Sequence, residues 1–246
     1  MDNLTAIIPT SPIKSHPDTS IIEETIKSIR HHLPDSEIIV TFDGVREEQE
    51  DLLEEYTEFK KQMLWKFLHE YKNILPFVFE EHMHQSDMMR AVIDEVKTPL
   101  LLYVEADAPL VTDERIDWNK CIDFLLAGEA NTIRLHHEAN IPEQHSHLML
   151  KTKDKFLQTI QWSQRPHLSS VVYYRDTLLP TLPAKSFIED SFHGVIQRDY
   201  YADGFLGWAK HRLWIYIPDE KNIKRSYHLD GRAGGRKFTS DDEAGL

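Results

Sequence analysis

Two acidic residues one position apart, Glu105 and Asp107, close an apolar run in the stretch LLLYVEADAPLV. Alternate residues of an extended chain point the same way, so both carboxylates are expected to leave the end of a buried strand together. Such a pair suits a hard divalent cation, Mg²⁺ or Mn²⁺, whose remaining ligands are substrate phosphates. The competing account is two solvated acids at the start of a loop. A second acidic pair, Glu189-Asp190, sits inside FIEDSF with apolar residues on both sides. That flanking is expected to set a helix start against the core, where a partly desolvated carboxylate can act as a general base; an ordinary acid at a helix N-terminus is the alternative. The turn WSQRPH brings together Trp162, Arg165 and His167, types that stack on a sugar ring and contact hydroxyls or phosphate. It reads equally as a surface turn anchored by its tryptophan. Near the C-terminus, His228 precedes Arg232 and Arg236 in YHLDGRAGGR, an imidazole and two guanidiniums able to complete a metal shell and grip a diphosphate.

Stepping along the chain gives the elements that must hold these groups. Residues 4–9 (LTAIIP) read as a buried strand followed by a polar, proline-bearing loop with Thr10 and Ser11 at its start. Isoleucines 22, 26 and 29 recur at helical spacing within 20–32. Residues 37–42 form a second strand ended by Asp43-Gly44, and 46–71 a long helix rich in i,i+4 charge pairs. A third strand is expected at 77–80, a helix at 86–96, and the fourth strand, at 100–104, carries the acidic pair. Further strands are expected at 132–136, 169–174 and 214–217, the later ones mixing directions. Alternation of strand and helix implies a mostly parallel α/β sheet flanked by helices, with ligands at the carboxyl ends of the strands.

Composition narrows the function classes. At 246 residues the chain is long enough to bury a substantial core. A net charge of −13 opposes phosphate-backbone binding, which makes nucleic acid an unlikely partner. The single cysteine, Cys121, excludes an internal disulfide framework and reads as a small core residue. No apolar run approaches roughly 18 residues and no basic leader opens the chain, so the expectation is a soluble cytoplasmic protein, in the host-cell cytoplasm if the chain is viral. Neither GxGxxG nor GxxxxGK[ST] is present, which disfavours a Rossmann dehydrogenase and a P-loop kinase.

The order IIPT, TFDG, LLYVEAD, FIEDSF and a late histidine among basic residues resembles nucleotide-sugar glycosyltransferases of the GT-A fold, in the style of the inverting, family 2-like members. The resemblance runs from residue 4 to about residue 236. It implies one GT-A-like catalytic domain over 1–246, with a nucleotide-binding half at 1–107, an acceptor-binding and catalytic half at 108–236, and a loose tail at 237–246. It further implies that Asp43 meets the nucleobase, that Asp107 and His228 bind Mn²⁺ or Mg²⁺, and that Asp190, beside Glu189, deprotonates the acceptor. Glu105 stands where the family has the first aspartate of its DxD motif, which touches ribose or metal. The helix before that motif usually carries arginine then asparagine; only Arg90, with Asp87, stands nearby as a nucleotide contact. The implied donor is a nucleoside-diphosphate sugar, UDP-sugars favoured, and the acceptor a glycan or glycoconjugate. Two rivals differ in class: a sugar-1-phosphate nucleotidyltransferase, which needs a glycine-rich loop that IIPTSPIKSHPD lacks, and a non-catalytic nucleotide-sugar or carbohydrate-binding protein.

Overall fold

Strand β1 (Leu4–Thr10) is buried along its whole length, as a continuous apolar run must be when it occupies the middle of a sheet. In the computed structural model, which describes residues 3–218, 221–230 and 237–238, β1 lies parallel to β2 (Ile38–Phe42) on one side and to β4 (Leu100–Tyr103) on the other. β3 (Ile74–Val78) continues the parallel set beyond β2. Past β4 come β8 (His167–Ser170), β5 (Thr132–Arg134), β9 (Leu213–Tyr216), β7 (Phe156–Thr159) and β6 (Met149–Lys153), in the order β3-β2-β1-β4-β8-β5-β9-β7-β6. Only β8 and β7 oppose their neighbours, so seven of the nine strands point the same way. β10 (Leu229–Asp230) and β11 (Lys237–Phe238) form a separate antiparallel pair.

The edge strand β3 carries Pro76 at its centre. Ile38 N–H donates to Asn73 O and Phe79 N–H to Phe42 O, each at 2.9 Å. In the parallel ladder this parity turns odd-numbered residues toward β2 and leaves the nitrogen of Pro76, which has no hydrogen, on the outer side.

Helix α1 (Ser20–His32) buries Ile22, Ile26 and Ile29 on one stripe. Helix α2 (Leu53–His69) buries Tyr56, Phe59, Met63 and Phe67, and it is preceded by a 3₁₀ segment, Glu47–Leu52, in which Gln49 leaves helical geometry. The single helix expected over 46–71 is therefore two pieces. The first two helices are tied by Glu23, which accepts from Lys66 Nζ at 2.6 Å and from the Tyr71 hydroxyl at 3.2 Å. α3 (His84–Val92) follows β3, and α4 (Trp118–Leu126) is capped by Asp117, whose carboxylate accepts the Lys120 N–H at 3.2 Å. After β8 the chain turns helical in three short pieces: α5 (Val171–Tyr173), a π-turn at Tyr174–Leu178 and α6 (Leu179–Thr181). α7 (Ile188–Asp203) and α8 (Phe205–His211) meet at Gly204, whose φ of 57° favours glycine.

Two strand expectations need correction. The third strand lies at Ile74–Val78, not 77–80. The run expected over 169–174 is strand only to Ser170, because the Ser170 hydroxyl accepts the Tyr173 N–H at 3.4 Å and opens a helical turn in its place. Cys121 is buried, and burial pushes its thiol pKa up, as expected of a packing residue. No helix among the described residues is long and apolar enough to cross a membrane. The hydrophobic core is a single cluster that takes side chains from β1 at one end of the chain and β9 at the other.

Candidate functional site

The loops at the carboxyl ends of β1 to β4 enclose a cleft of about 570 Å³. Thr10 and Ser11 line it after β1, Asp43 and Arg46 after β2, His82, His84 and Gln85 around the start of α3, and Glu105 and Asp107 after β4. This is the position at which open α/β sheets bind ligands. The sheet explains why: its parallel strands all end on one side, and the chain must leave each end as irregular, polar backbone.

The acidic motif is more than a strand end. β4 stops at Tyr103, and the Ala108 N–H donates to Glu105 O at 3.0 Å, so residues 105–108 form a turn. Helix α1 fixes that turn from behind: Thr25 Oγ1 donates to Ala106 O at 2.7 Å, and Ser28 Oγ accepts the Leu110 N–H at 3.0 Å. The two carboxylates consequently part. Glu105 accepts from Gln85 Nε2 at 2.8 Å, while Asp107 meets His228 Nε2 at 3.2 Å. The segment carrying His228 is laid across the turn by its backbone, Leu229 N–H donating to Asp107 O at 2.7 Å and Tyr227 N–H to Pro109 O at 3.0 Å. Tyr227 also donates its hydroxyl to Glu24 at 2.8 Å.

Charge is concentrated at this turn. Burial first, and then the neighbouring Asp107, pushes the Glu105 carboxyl up to about 7, against the opposing hydrogen bond from Gln85 and with Glu189 adding to the rise. The hydrogen bond to Asp107 raises the pKa of His228. The Asp107 carboxylate and the His228 imidazole are chemically fit donors for Mn²⁺ or Mg²⁺, whereas Glu105 is turned to Gln85. No group of three or more His, Cys, Asp or Glu that could hold a metal ion occurs among the described residues. An ion here would draw its other ligands from substrate oxygens.

Asp43 is almost fully buried. Its Oδ1 accepts N–H groups from Gly44 at 2.8 Å and Met83 at 2.6 Å, its Oδ2 accepts the His84 N–H at 3.0 Å, and His82 Nδ1 lies 2.9 Å from the same oxygen. The carboxylate thus pins the start of α3 to the end of β2, and little acceptor capacity is left for a nucleobase. Thr10 is committed likewise, donating its hydroxyl to Thr41 O at 2.9 Å, whereas Ser11 is exposed at the cleft. His16, which sequence reasoning passed over, stacks on Phe59 with ring centroids 4.0 Å apart and accepts the Ile13 N–H; burial lowers its pKa to about 4, so it lines the cleft as a neutral ring.

Asp87 and Arg90 do not line the cleft. They pair with each other, Asp87 Oδ2 accepts the Lys185 N–H at 3.0 Å, and Arg90 Nη2 donates to Leu179 O at 2.8 Å and Leu182 O at 2.6 Å. Both therefore staple α3 to the segment before α7, and the nucleotide contacts expected of them are corrected to this structural role. Trp162 and His167 are also corrected: each is buried to 1 % exposure or less. Trp162 donates its indole N–H to Gln164 Oε1 at 3.1 Å, and His167 Nε2 meets the Tyr174 hydroxyl at 2.5 Å. Burial lowers the His167 pKa to about 4. Neither ring is free to stack on a sugar, which leaves the half-buried Arg165 as the member of that turn facing the site's charges, since its guanidinium acts on both Glu105 and His228. Arg232 and Arg236 lie outside the described residues.

The second acidic pair does open a helix. Ile188, Phe192 and Ile196 are the buried stripe of α7, with Glu189 beside it and half-buried, and Asp190 on the outer face and exposed. Glu189 falls within the electrostatic reach of Glu105 and of the buried Arg134. Asp190 falls within that of His84, whose pKa is lowered by burial and by His82 and Arg46 against the pull of Asp43 and Asp190. The ring of His84 packs edge-on against Phe187 at 4.0 Å, and both line the cleft. Neither Glu189 nor Asp190 lines the cleft itself; Phe187, just before α7, is where this segment reaches it.

This architecture is a GT-A-like fold. TarS 1–349 from S. aureus in complex with UDP-GlcNAc superposes over 96 % of this chain and 62 % of its own, at a TM-score of 0.57 and 11 % identity. The mannosyltransferase PcManGT from Pyrobaculum calidifontis, in complex with GDP-Man and Mn²⁺, matches 94 % of this chain and 58 % of its own, with a TM-score of 0.56 and 12 % identity. UDP-glucose pyrophosphorylase complexed with UDP-glucose matches 95 % of this chain and 94 % of its own at 0.52 and 9 % identity. The chain spans about six-tenths of the length of the first two. It matches no family profile and no curated protein in sequence.

Proposed function

We propose that the protein is a metal-dependent, inverting glycosyltransferase that moves a sugar from a nucleoside-diphosphate donor to an acceptor hydroxyl. The observation that carries this reading is the placement of Glu105 and Asp107 on the wall of a cleft at the carboxyl ends of β1 to β4, with the Glu189-Asp190 helix start close by. UDP-GlcNAc and GDP-Man in the complexes of structurally similar proteins support a nucleotide-sugar donor, and the Mn²⁺ in one of them supports a divalent cation. Asp107 and His228 would hold Mn²⁺ or Mg²⁺, its other ligands coming from substrate oxygens, and the ion when bound would supply Lewis-acid stabilisation of the departing diphosphate.

The chain's own residues divide the remaining work. Asp190, exposed at the first turn of α7, is the candidate base that takes the proton of the acceptor hydroxyl as it attacks the anomeric carbon, and Glu189 keeps a second carboxylate beside it. Arg165 contributes positive charge near the donor acids, where it would favour the diphosphate. Ser11 and Arg46, which line the cleft, would meet the nucleotide.

A nucleotidyltransferase is the second reading, favoured by the near-complete overlap with a pyrophosphorylase of similar length. The β1–α1 loop, IIPTSPIKSHPD, contains no glycine, which works against it. Incubating the protein with nucleotide sugars and Mn²⁺, with and without pyrophosphate, and following the products separates the two. Release of nucleoside diphosphate with transfer or hydrolysis of the sugar supports the transferase. Release of nucleoside triphosphate from nucleotide sugar and pyrophosphate supports the rival, and neither product with any donor overturns both.

A further inference from the structure

We infer that Gln85 is a positioning residue that sets the spacing between the donor-side acid Glu105 and the helix carrying Glu189 and Asp190. Gln85 is the second residue of α3, and its side chain spans two elements that are far apart in sequence. Its Nε2 donates to Glu105 Oε1 at 2.8 Å, and its Oε1 accepts the N–H of Ile188, the first residue of α7, at 3.3 Å. The two partners fix the orientation of the amide. A backbone N–H can only donate, so the oxygen must face Ile188 and the NH₂ must face the carboxylate.

The bridge does not stand alone. Ser86 N–H donates to Ser186 O at 3.1 Å, and Ser186 N–H donates to Ser86 Oγ at 2.9 Å. Asp87 takes the Lys185 N–H, and Arg90 takes the carbonyls of Leu179 and Leu182. Residues 85–90 thus fasten the whole approach to α7, while Asp43 fastens the start of α3 to the end of β2. Of these groups Gln85 alone, among the described residues, touches one of the cleft acids and the start of α7 at once. A base must sit within hydrogen-bond reach of the proton it removes, and a displacement of about 1 Å is costly, so the length of this bridge bears on turnover more than on binding.

This inference rests on the transferase reading, and the experiment distinguishes the failure of each. Gln85→Met keeps the volume and removes both hydrogen bonds, whereas Gln85→Glu keeps the acceptor for Ile188 and sets a carboxylate against Glu105. For wild type and both variants, kcat, acceptor KM and the Kd for UDP with Mn²⁺ are measured, with thermal melting as the check on folding. The expected result is a fall in kcat of roughly 10- to 100-fold in Gln85→Met, on the scale of lost orientation, with Kd within about twofold of wild type, and an equal or larger fall in Gln85→Glu. Unchanged kcat in Gln85→Met, or a parallel loss of kcat and nucleotide binding in both variants, overturns the positioning role. If Gln85→Met does not fold, Gln85→Glu decides by the same criteria. A wild type that binds no nucleotide and turns over no donor removes the transferase reading instead.

Discussion

Nε2 of His228 stands 3.2 Å from Oδ2 of Asp107, joining the segment before β10 to the turn after β4 across more than a hundred residues of sequence. The contact is backed by the Leu229 N–H on the Asp107 carbonyl, so the imidazole is held at the cleft by backbone as well as by charge. If this pair is the core of a cation site, removing either the acid or the ion must have the same effect. A saturating ligand at about a hundred times its Kd adds about 2.7 kcal/mol to the folded state. We expect UDP to raise the melting temperature with Mn²⁺ present, and expect the metal-dependent part of the rise to vanish in Asp107→Ala and in wild type treated with EDTA. An undiminished rise in Asp107→Ala would remove the acid from the site.

Asp190 is exposed on the outer face of α7, so its loss leaves the core intact. Asp190→Asn is expected to lower kcat by roughly 10²–10⁴-fold, the usual contribution of a general base, with nucleotide affinity and melting temperature near those of wild type. Glu189→Gln, measured beside it, tests the division of labour: a larger loss in Glu189→Gln would transfer the role of base to the half-buried member of the pair.

Trp162 packs edge-on against Phe192 and His167, with ring centroids 5.1 Å apart in each case. Trp162→Ala should therefore destabilise the fold by about 3–5 kcal/mol, the range for deleting a large aromatic core side chain. Chemical denaturation measures this directly. A stable variant that has lost only acceptor affinity would restore the sugar-stacking role.

Glu23 provides a pH test away from the site. Burial alone would push its carboxyl up, but the hydrogen bonds from Lys66, Thr19 and Tyr71 hold it down to about 2, from 4.5. A carboxyl with a depressed folded pKa stabilises fully above its unfolded pKa, and that stabilisation is lost as pH falls through the folded value. Melting temperatures of wild type and Glu23→Gln should differ most above pH 4.5 and converge as the pH approaches 2. A difference that does not change over that range would show that the ionised carboxylate is not what joins α1 to α2.

Much of the sheet was legible because its strands are short apolar runs closed by polar turns: β1, β2 and β4 lie within two residues of where the pattern ends them, and the acids that follow reach one cleft. What misled was chemistry with two uses. Trp162 and His167 look the same whether they stack on a ligand or pack edge-on against each other, and only burial decides. The run SSVVYY is rich in β-branched and aromatic residues, but the Ser170 hydroxyl satisfies a helical N–H and ends the strand. Asp87 and Arg90 sit at the helical spacing of a charge pair and form one, with their remaining hydrogen bonds spent on backbone. Gln85 had no signal at all, since a single amide side chain acquires its meaning only from the two elements it touches.

Pro76 has a consequence for the molecule as a solute. An open strand edge recruits further strands when it offers a row of free donors and acceptors, and the outer side of β3 interrupts that row at its midpoint with a residue that has nothing to donate. At the opposite margin β6 carries the exposed Lys151, a charge that disfavours pairing with a second copy, while Lys153 is paired with Glu129 at 2.8 Å. Each margin of the nine-stranded sheet is thereby a poorer template for a further strand than an uninterrupted, uncharged edge would be.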